Sequence, residues 1–119
     1  DYVRAQEARM LCNVELYKTM EGIDLLLCPS SPRAAYPYTE EDAYGPIPEN
    51  RDPWDSRFTV PMDFSGLPTI AMPCGFNKDG LPLSCQLVGH KLSESMLIQA
   101  GATYQRATDW HTYRPPNWP

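Results

Sequence analysis

Thirteen of the 119 residues are proline, and seven of these fall between Pro29 and Pro61. Proline fixes φ and gives up its backbone N–H, so helix interiors exclude it and central strands tolerate it badly. Regular structure must therefore lie mostly on either side of residues 29–61. That segment also holds Tyr36, Tyr38, Tyr44 and Trp54, and it shows neither a 2.0 nor a 3.6 period. Segments above ~15 residues without structure of their own are usually lids, binding loops or insertions. The aromatic residues argue against plain disorder. We expect a long loop, acidic and rich in Pro and aromatics, over 29–61.

Both flanks carry patterns. Val3, Met10, Leu11, Val14 and Tyr17 recur at helical spacing, which predicts an amphipathic helix over 2–20. Gly22 supplies its left-handed stop. Ile23 to Cys28 is a short apolar run broken only by Asp24, and it predicts a strand buried on both faces, ended by Pro29 and Pro32. Beyond the loop, 68–74 and 81–88 read as two strands around Asn77-Lys78-Asp79-Gly80, a turn sequence. A β-hairpin follows. Leu83, Cys85 and Leu87 then share one face, while Ser84, Gln86 and Val88 share the other. Gln86 is half-buried on this reading and must find partners. Ser93 is the expected N-cap of a second helix through Thr108, with Met96, Leu97, Ala100, Tyr104 and Ala107 as its apolar stripe. The Pro-rich aromatic end is read as an extended tail. The result is an α/β piece with a hairpin and at least two helices.

The net charge of −5 is local. Seven acids and two bases lie between Glu40 and Asp63, and the rest of the chain is balanced. Such a surface repels nucleic acid and anionic membranes, and there is no basic stripe to bind phosphates. No apolar run approaches the ~20 residues that span a bilayer. Cys12, Cys28, Cys74 and Cys85 have apolar neighbours and form no C-x-x-C pair. Free buried thiols in a reducing, cytoplasmic compartment fit this pattern better than a disulfide framework or a zinc site.

Reactive chemistry is hard to find. None of the seven serines lies in G-x-S-x-G, and neither a Walker loop nor G-x-G-x-x-G occurs. Ser30 and Ser31 follow a strand, but Pro29 and Pro32 remove N–H donors from any oxyanion hole there. Turn hydroxyls are the better reading. His90 and His111 have no sequence partners for a triad and read as structural. We expect no metal and no cofactor.

One block is more specific than composition. Residues 57–76 read RFTVPMDFSGLPTIAMPCGF, followed by DGLPL at 79–83 and QLVG at 86–89. Upstream stands DLLLCPSSP at 24–32, and downstream YQRATDWH at 104–111 with Arg114-Pro115-Pro116 behind it. This succession closely resembles the C-terminal part of amidase signature enzymes across nearly the whole chain. The resemblance implies a mixed sheet between helices, with residues 1–119 forming a partial domain. It implies hydrolysis of a carboxamide C–N bond to carboxylate and ammonia or amine. The family's Ser, second Ser on a cis peptide and Lys belong to its N-terminal part, and no position here matches them. No catalytic residue is carried over, and the segment alone is expected to be inactive.

Pocket wall is carried over instead. The family's stretch around F-T-x-P-x-N/D lies near the acyl cleft, which singles out Arg57, Thr59, Met62 and Asp63. Arg57 has the fork to hold a carboxylate or carbonyl, Thr59 to orient an amide, and Met62 to give an adaptable apolar contact. The structural alternatives are that Asp63 fixes the turn before Gly66 and that Thr59 caps or pairs backbone. Trp54, in the variable loop, is a candidate for substrate choice. Cys74 is expected to pack beneath the hairpin. Ser56 stands where amidotransferase members carry an Asp, and Asp63 where Asn is commoner. Both departures favour a general amidase over the amidase-type component of a tRNA-dependent amidotransferase.

The implied partners are a small-molecule amide, the remainder of an amidase chain and a second copy of the full enzyme. Two other readings stay open: a non-catalytic binding module, and a small secreted domain held by disulfides. The absent start Met and the absent Ser/Lys signature favour a piece of a longer enzyme.

Overall fold

The computed structural model describes residues 1–35, Pro37, 39–46 and 56–115. Helix α1 (Tyr2–Thr19) is followed by strand β1 (Leu25–Pro29). A short helix α2 (Glu40–Tyr44) lies within the loop region, and α3 (Val60–Ser65) closes it. Strands β2 (Thr69–Phe76) and β3 (Pro82–Gly89) come next, then α4 (Glu94–Ala107) and a 3-10 turn at Trp110–Thr112. The three strands are antiparallel in the order β1-β3-β2. The α/β class is as expected.

Helix α1 holds no Gly or Pro, and Gly22 follows its last turn at φ +76. Its packing face is not the predicted stripe. Val3, Met10, Leu11 and Val14 are exposed, whereas Asn13, Leu16 and Tyr17 are half-buried and Met20 is fully buried. The seam runs through Arg9, Asn13, Leu16 and Met20, at spacings of four, three and four. Arg9 Nε and Asn13 Nδ2 both donate to the Phe64 carbonyl at the end of α3, at 2.7 and 3.5 Å. Polar anchoring to α3 thus rotates the helix away from its apolar stripe.

The hairpin forms as predicted. Asn77 explains the turn: its Oδ1 accepts from the N–H groups of Asp79 and Leu81 at 2.9 and 2.8 Å. Gly80 takes φ +77, a conformation that costs a side-chain-bearing residue free energy. Register places Leu27, Leu87 and Ile70 on one face with Pro29, Cys85 and Met72. Helix α4 packs there over β2 and β3, seating Gly101 against Ile70 and Met72. Its line of contact is Leu97, Ala100, Gly101 and Tyr104, while Met96 and Ala107 of the expected stripe face solvent. The opposite face carries Leu26, Val88, Cys28 and Gln86, and the approach to α3 lies against it.

Two further expectations are overturned. The strand at 23–28 is not buried on both faces: Leu27 is 64% exposed, because β1 is an edge strand that α4 does not cover. Cys74 is also exposed. A β-bulge shifts the register between Pro73 and Gly75, which turns Cys74 out of the packed layer.

Candidate functional site

Residues 56–66 form a tight local knot. The carbonyl of Ser56 accepts from the Thr59 N–H at 3.1 Å and from Thr59 Oγ1 at 3.3 Å. Thr59 is the N-cap of α3, and its own carbonyl receives the N–H groups of Met62 and Asp63. Its hydroxyl is thus engaged with backbone, which is the structural role. Pro61 fits the first turn of α3, where its missing N–H is not needed. The Arg57 guanidinium lies 5.6 Å from the Phe58 ring centroid, stacked on its own neighbour. Met62 is half-buried. Asp63 is exposed in the first turn of α3, where a carboxylate complements the helix dipole.

The turn before Gly66 is closed by Ser65, not Asp63. Ser65 is buried, its Oγ donates to the Met62 carbonyl at 2.9 Å, and it accepts from the Leu67 N–H at 3.2 Å. The Ser-Gly pair before a Pro-containing strand was the available sequence signal. Trp54 lies outside the described residues.

A separate open cavity of about 730 Å³ lies at the end of β1. Its wall includes Leu27, Pro32, Leu83, Cys28, Cys74 and Cys85, and none of Arg57, Thr59, Met62 or Asp63. Ser31 borders it and makes a local turn, Oγ donating to the Arg33 carbonyl at 2.9 Å. The Ser30 N–H continues the ladder to the Ser84 carbonyl at 3.2 Å. Turn hydroxyls, as expected, describe Ser31 well. His90 is structural: its Nε2–H donates to the Ile23 carbonyl at 2.8 Å.

The two regions are joined through Gln86, which is 5% exposed. Its Nε2 donates to the Phe58 carbonyl at 2.5 Å and to the Pro29 carbonyl at 3.2 Å. One buried side chain therefore ties the 57–63 segment and the end of β1 to the central strand. The need for partners was legible in the sequence, but their identity was not.

Burial raises the Cys28 thiol above its ordinary pKa of 9.0, partly offset by the Gln86 hydrogen bond. Burial also raises Cys85, with the neighbouring Cys74 thiol adding to the shift. A raised thiol pKa means the folded state holds its proton longer than the unfolded chain does. The associated stability is present below about pH 9 and is lost as pH rises through the raised values. We expect alkylation of Cys28 and Cys85 in the folded protein to keep accelerating above pH 9, where a free thiol has begun to level off. Site-resolved alkylation by mass spectrometry measures it, and an ordinary thiol profile at both residues counts against it.

The family model for Amidase matches residues 1–98. A glutamyl-tRNA(Gln) amidotransferase subunit of Rippkaea orientalis is 35% identical over 119 residues, covering 97% of this chain and 23% of that protein. Its counterpart from Acaryochloris marina is 34% identical over 118 residues, covering 96% and 23%. Among solved structures, 6-aminohexanoate cyclic dimer hydrolase superposes with TM-score 0.66 at 27% identity, over 86% of this chain and 22% of that one. The same amidotransferase subunit from Thermotoga maritima gives TM-score 0.63 at 28% identity, over 81% and 20%. The chain thus spans 23% of the length of these curated relatives.

Proposed function

We propose, from the premise that this chain belongs to the Amidase family, that it serves as scaffold and substrate wall of an enzyme hydrolysing a carboxamide C–N bond. The products are a carboxylate and ammonia or an amine. The nucleophile and its activating groups lie in the rest of that enzyme, and this segment supplies no reacting atom. Its partners are the small-molecule amide and the remainder of the amidase chain, with a homodimer as the assembly of the full enzyme and the cytoplasm as its location. Linear amides are the proposed substrate class.

The observation that carries the wall assignment is the Gln86 staple. It holds Phe58, between Arg57 and Thr59, against the same strand that lines the cavity. Arg57, Thr59, Met62 and Asp63 are the proposed substrate contacts on this segment, with Arg57 meeting a carbonyl or carboxylate, and Trp54 is proposed to act in substrate choice.

A second reading, a component of a tRNA-dependent amidotransferase, is favoured by the curated relatives, which carry that name. Against it, Ser56 stands where an Asp is expected, and its carbonyl is spent on Thr59. The purified chain alone should turn over no simple amide, whereas a longer amidase polypeptide containing it should, with loss of activity under a serine-directed reagent. Serine-reagent-sensitive hydrolysis by the chain alone would overturn the proposal. Amide transfer to glutamyl-tRNA(Gln) without hydrolysis of free amides would decide for the second reading.

A further inference from the structure

Three of the four cysteines border one cavity, yet they are not equivalent. Cys28 is opposite Gln86 in the ladder, so it sits on the face away from α4. Cys85 is opposite Met72 on the α4 face. Cys74 stands two residues beyond Met72, at the bulge between Pro73 and Gly75, and borders the same cavity as Cys85 on the neighbouring strand. Cys74 is exposed and Cys85 is half-buried behind it. Tyr104 of α4 is the titratable neighbour of both thiols and donates its OH to the Pro73 carbonyl at 3.1 Å.

This is the arrangement of an attacking and a resolving thiol. Cys74 is exposed, Cys85 is half-buried on the adjacent strand beside the same cavity, and the bulge is the point in the ladder most able to adjust. Diagonal positions in an antiparallel pair are ~7–8 Å apart at Cα, beyond the usual disulfide range of about 4.4–6.8 Å, so a bridge requires the local shift in spacing that a bulge provides.

We propose that Cys74 and Cys85 form a thiol-modification site at which a hydroperoxide converts the pair to an intrachain disulfide. The Cys74 thiolate attacks the terminal peroxide oxygen, and the O–O bond breaks. Cys74 becomes a sulfenic acid, and water or an alcohol leaves with the thiol proton. The Cys85 thiolate then attacks the Cys74 sulfur, and the S–O bond breaks. Hydroxide departs and takes the Cys85 proton as water. Two thiols and one peroxide give one disulfide and two molecules of water or water and alcohol. The new bond pins β2 to β3 at the bulge and removes the exposed thiol from the cavity wall. Burial of the Cys85 thiol slows the second step at neutral pH, and that step quickens as pH rises.

Lys78 separates the two cysteines, so trypsin places them in different peptides, 58–78 and 79–91, each with a single cysteine. The protein is treated with limiting hydrogen peroxide, quenched with N-ethylmaleimide and digested without reduction. The expected product is the 58–78 peptide linked to the 79–91 peptide within one chain, while Cys12 and Cys28 carry maleimide. Cys85→Ser should remove the link and raise dimedone-trappable sulfenic acid at Cys74 by about tenfold. Cys28→Ser should leave the link in place. The proposal is overturned if Cys74 and Cys85 both remain alkylated after peroxide is consumed. It is also overturned if the link joins separate chains, or forms no faster in folded than in urea-unfolded protein. The wild-type mapping decides the matter even if a variant fails to fold.

Discussion

Replacing Gln86 by Leu lowers folding stability by about 1–2 kcal/mol, because an unpaired acceptor costs about 1–3 kcal/mol when buried and the part-buried carbonyls of Phe58 and Pro29 both lose their donor. Leu fills nearly the same volume, so cavity formation contributes little. Gln86→Glu is the sharper variant. It keeps the shape but turns a carboxylate toward two carbonyl oxygens in a buried site. Its folded-state pKa must rise above the ordinary ~4.3 of Glu, since only the protonated acid can donate. The sign follows: the stability is present below about pH 4 and is lost as pH rises through the raised folded value. Urea titrations of wild type and both variants at neutral and acidic pH measure this. A Leu variant within ~0.5 kcal/mol of wild type, the usual range for uncommitted surface positions, would mean the staple is incidental.

Gly89→Ala costs about 1–3 kcal/mol, the usual range for overpacking, and Gly89→Val more. A Cβ at Gly89 lands on Ser93 Oγ and comes within 3.3 Å of Leu97 Cγ. The serine cannot swing aside freely, because its Oγ donates to the His90 carbonyl at 2.7 Å. Leu97 is buried against the sheet, so its retreat disturbs the α4 contact. Combining Gly89→Ala with Ser93→Ala should recover part of the loss, a coupling that a double-mutant cycle reads as non-additivity. Additive losses would show that Ser93 is not the obstacle.

Local chemistry carried much of the sequence reading. Asn77-Lys78-Asp79-Gly80 specifies its turn within a few residues, and Ser93 with Glu94 marks the start of α4. The Ser93 hydroxyl, however, reaches back to His90 and leaves the cap position without a side-chain bond. What the sequence concealed was non-local. The apolar stripe of α1 is real as a pattern, but two bonds to the Phe64 carbonyl, over fifty residues away, choose a different face. Leu25-Leu26-Leu27 has the composition of a central strand and the position of an edge. Asp63 looked like the residue that fixes a turn. Ser65 does so, because its hydroxyl both donates and accepts within three residues. The Cys74 bulge depends on cross-strand register, which no single strand encodes.

The order β1-β3-β2 has a kinetic consequence. Strand β1 ends at residue 29 but pairs with β3, which begins at residue 82. The hairpin can close by itself around the turn from Asn77 to Gly80, whereas β1 must wait for a partner more than fifty residues downstream. Local pairing is fast and long-range pairing is slow. During synthesis, α1 and an apolar Leu-Leu-Leu edge emerge before β3 and stay without their ladder until residue 89 has left the ribosome. An unpaired apolar edge is prone to aggregate during that interval, and the proline-rich, acidic stretch between the strands is part of what the ribosome adds while it lasts.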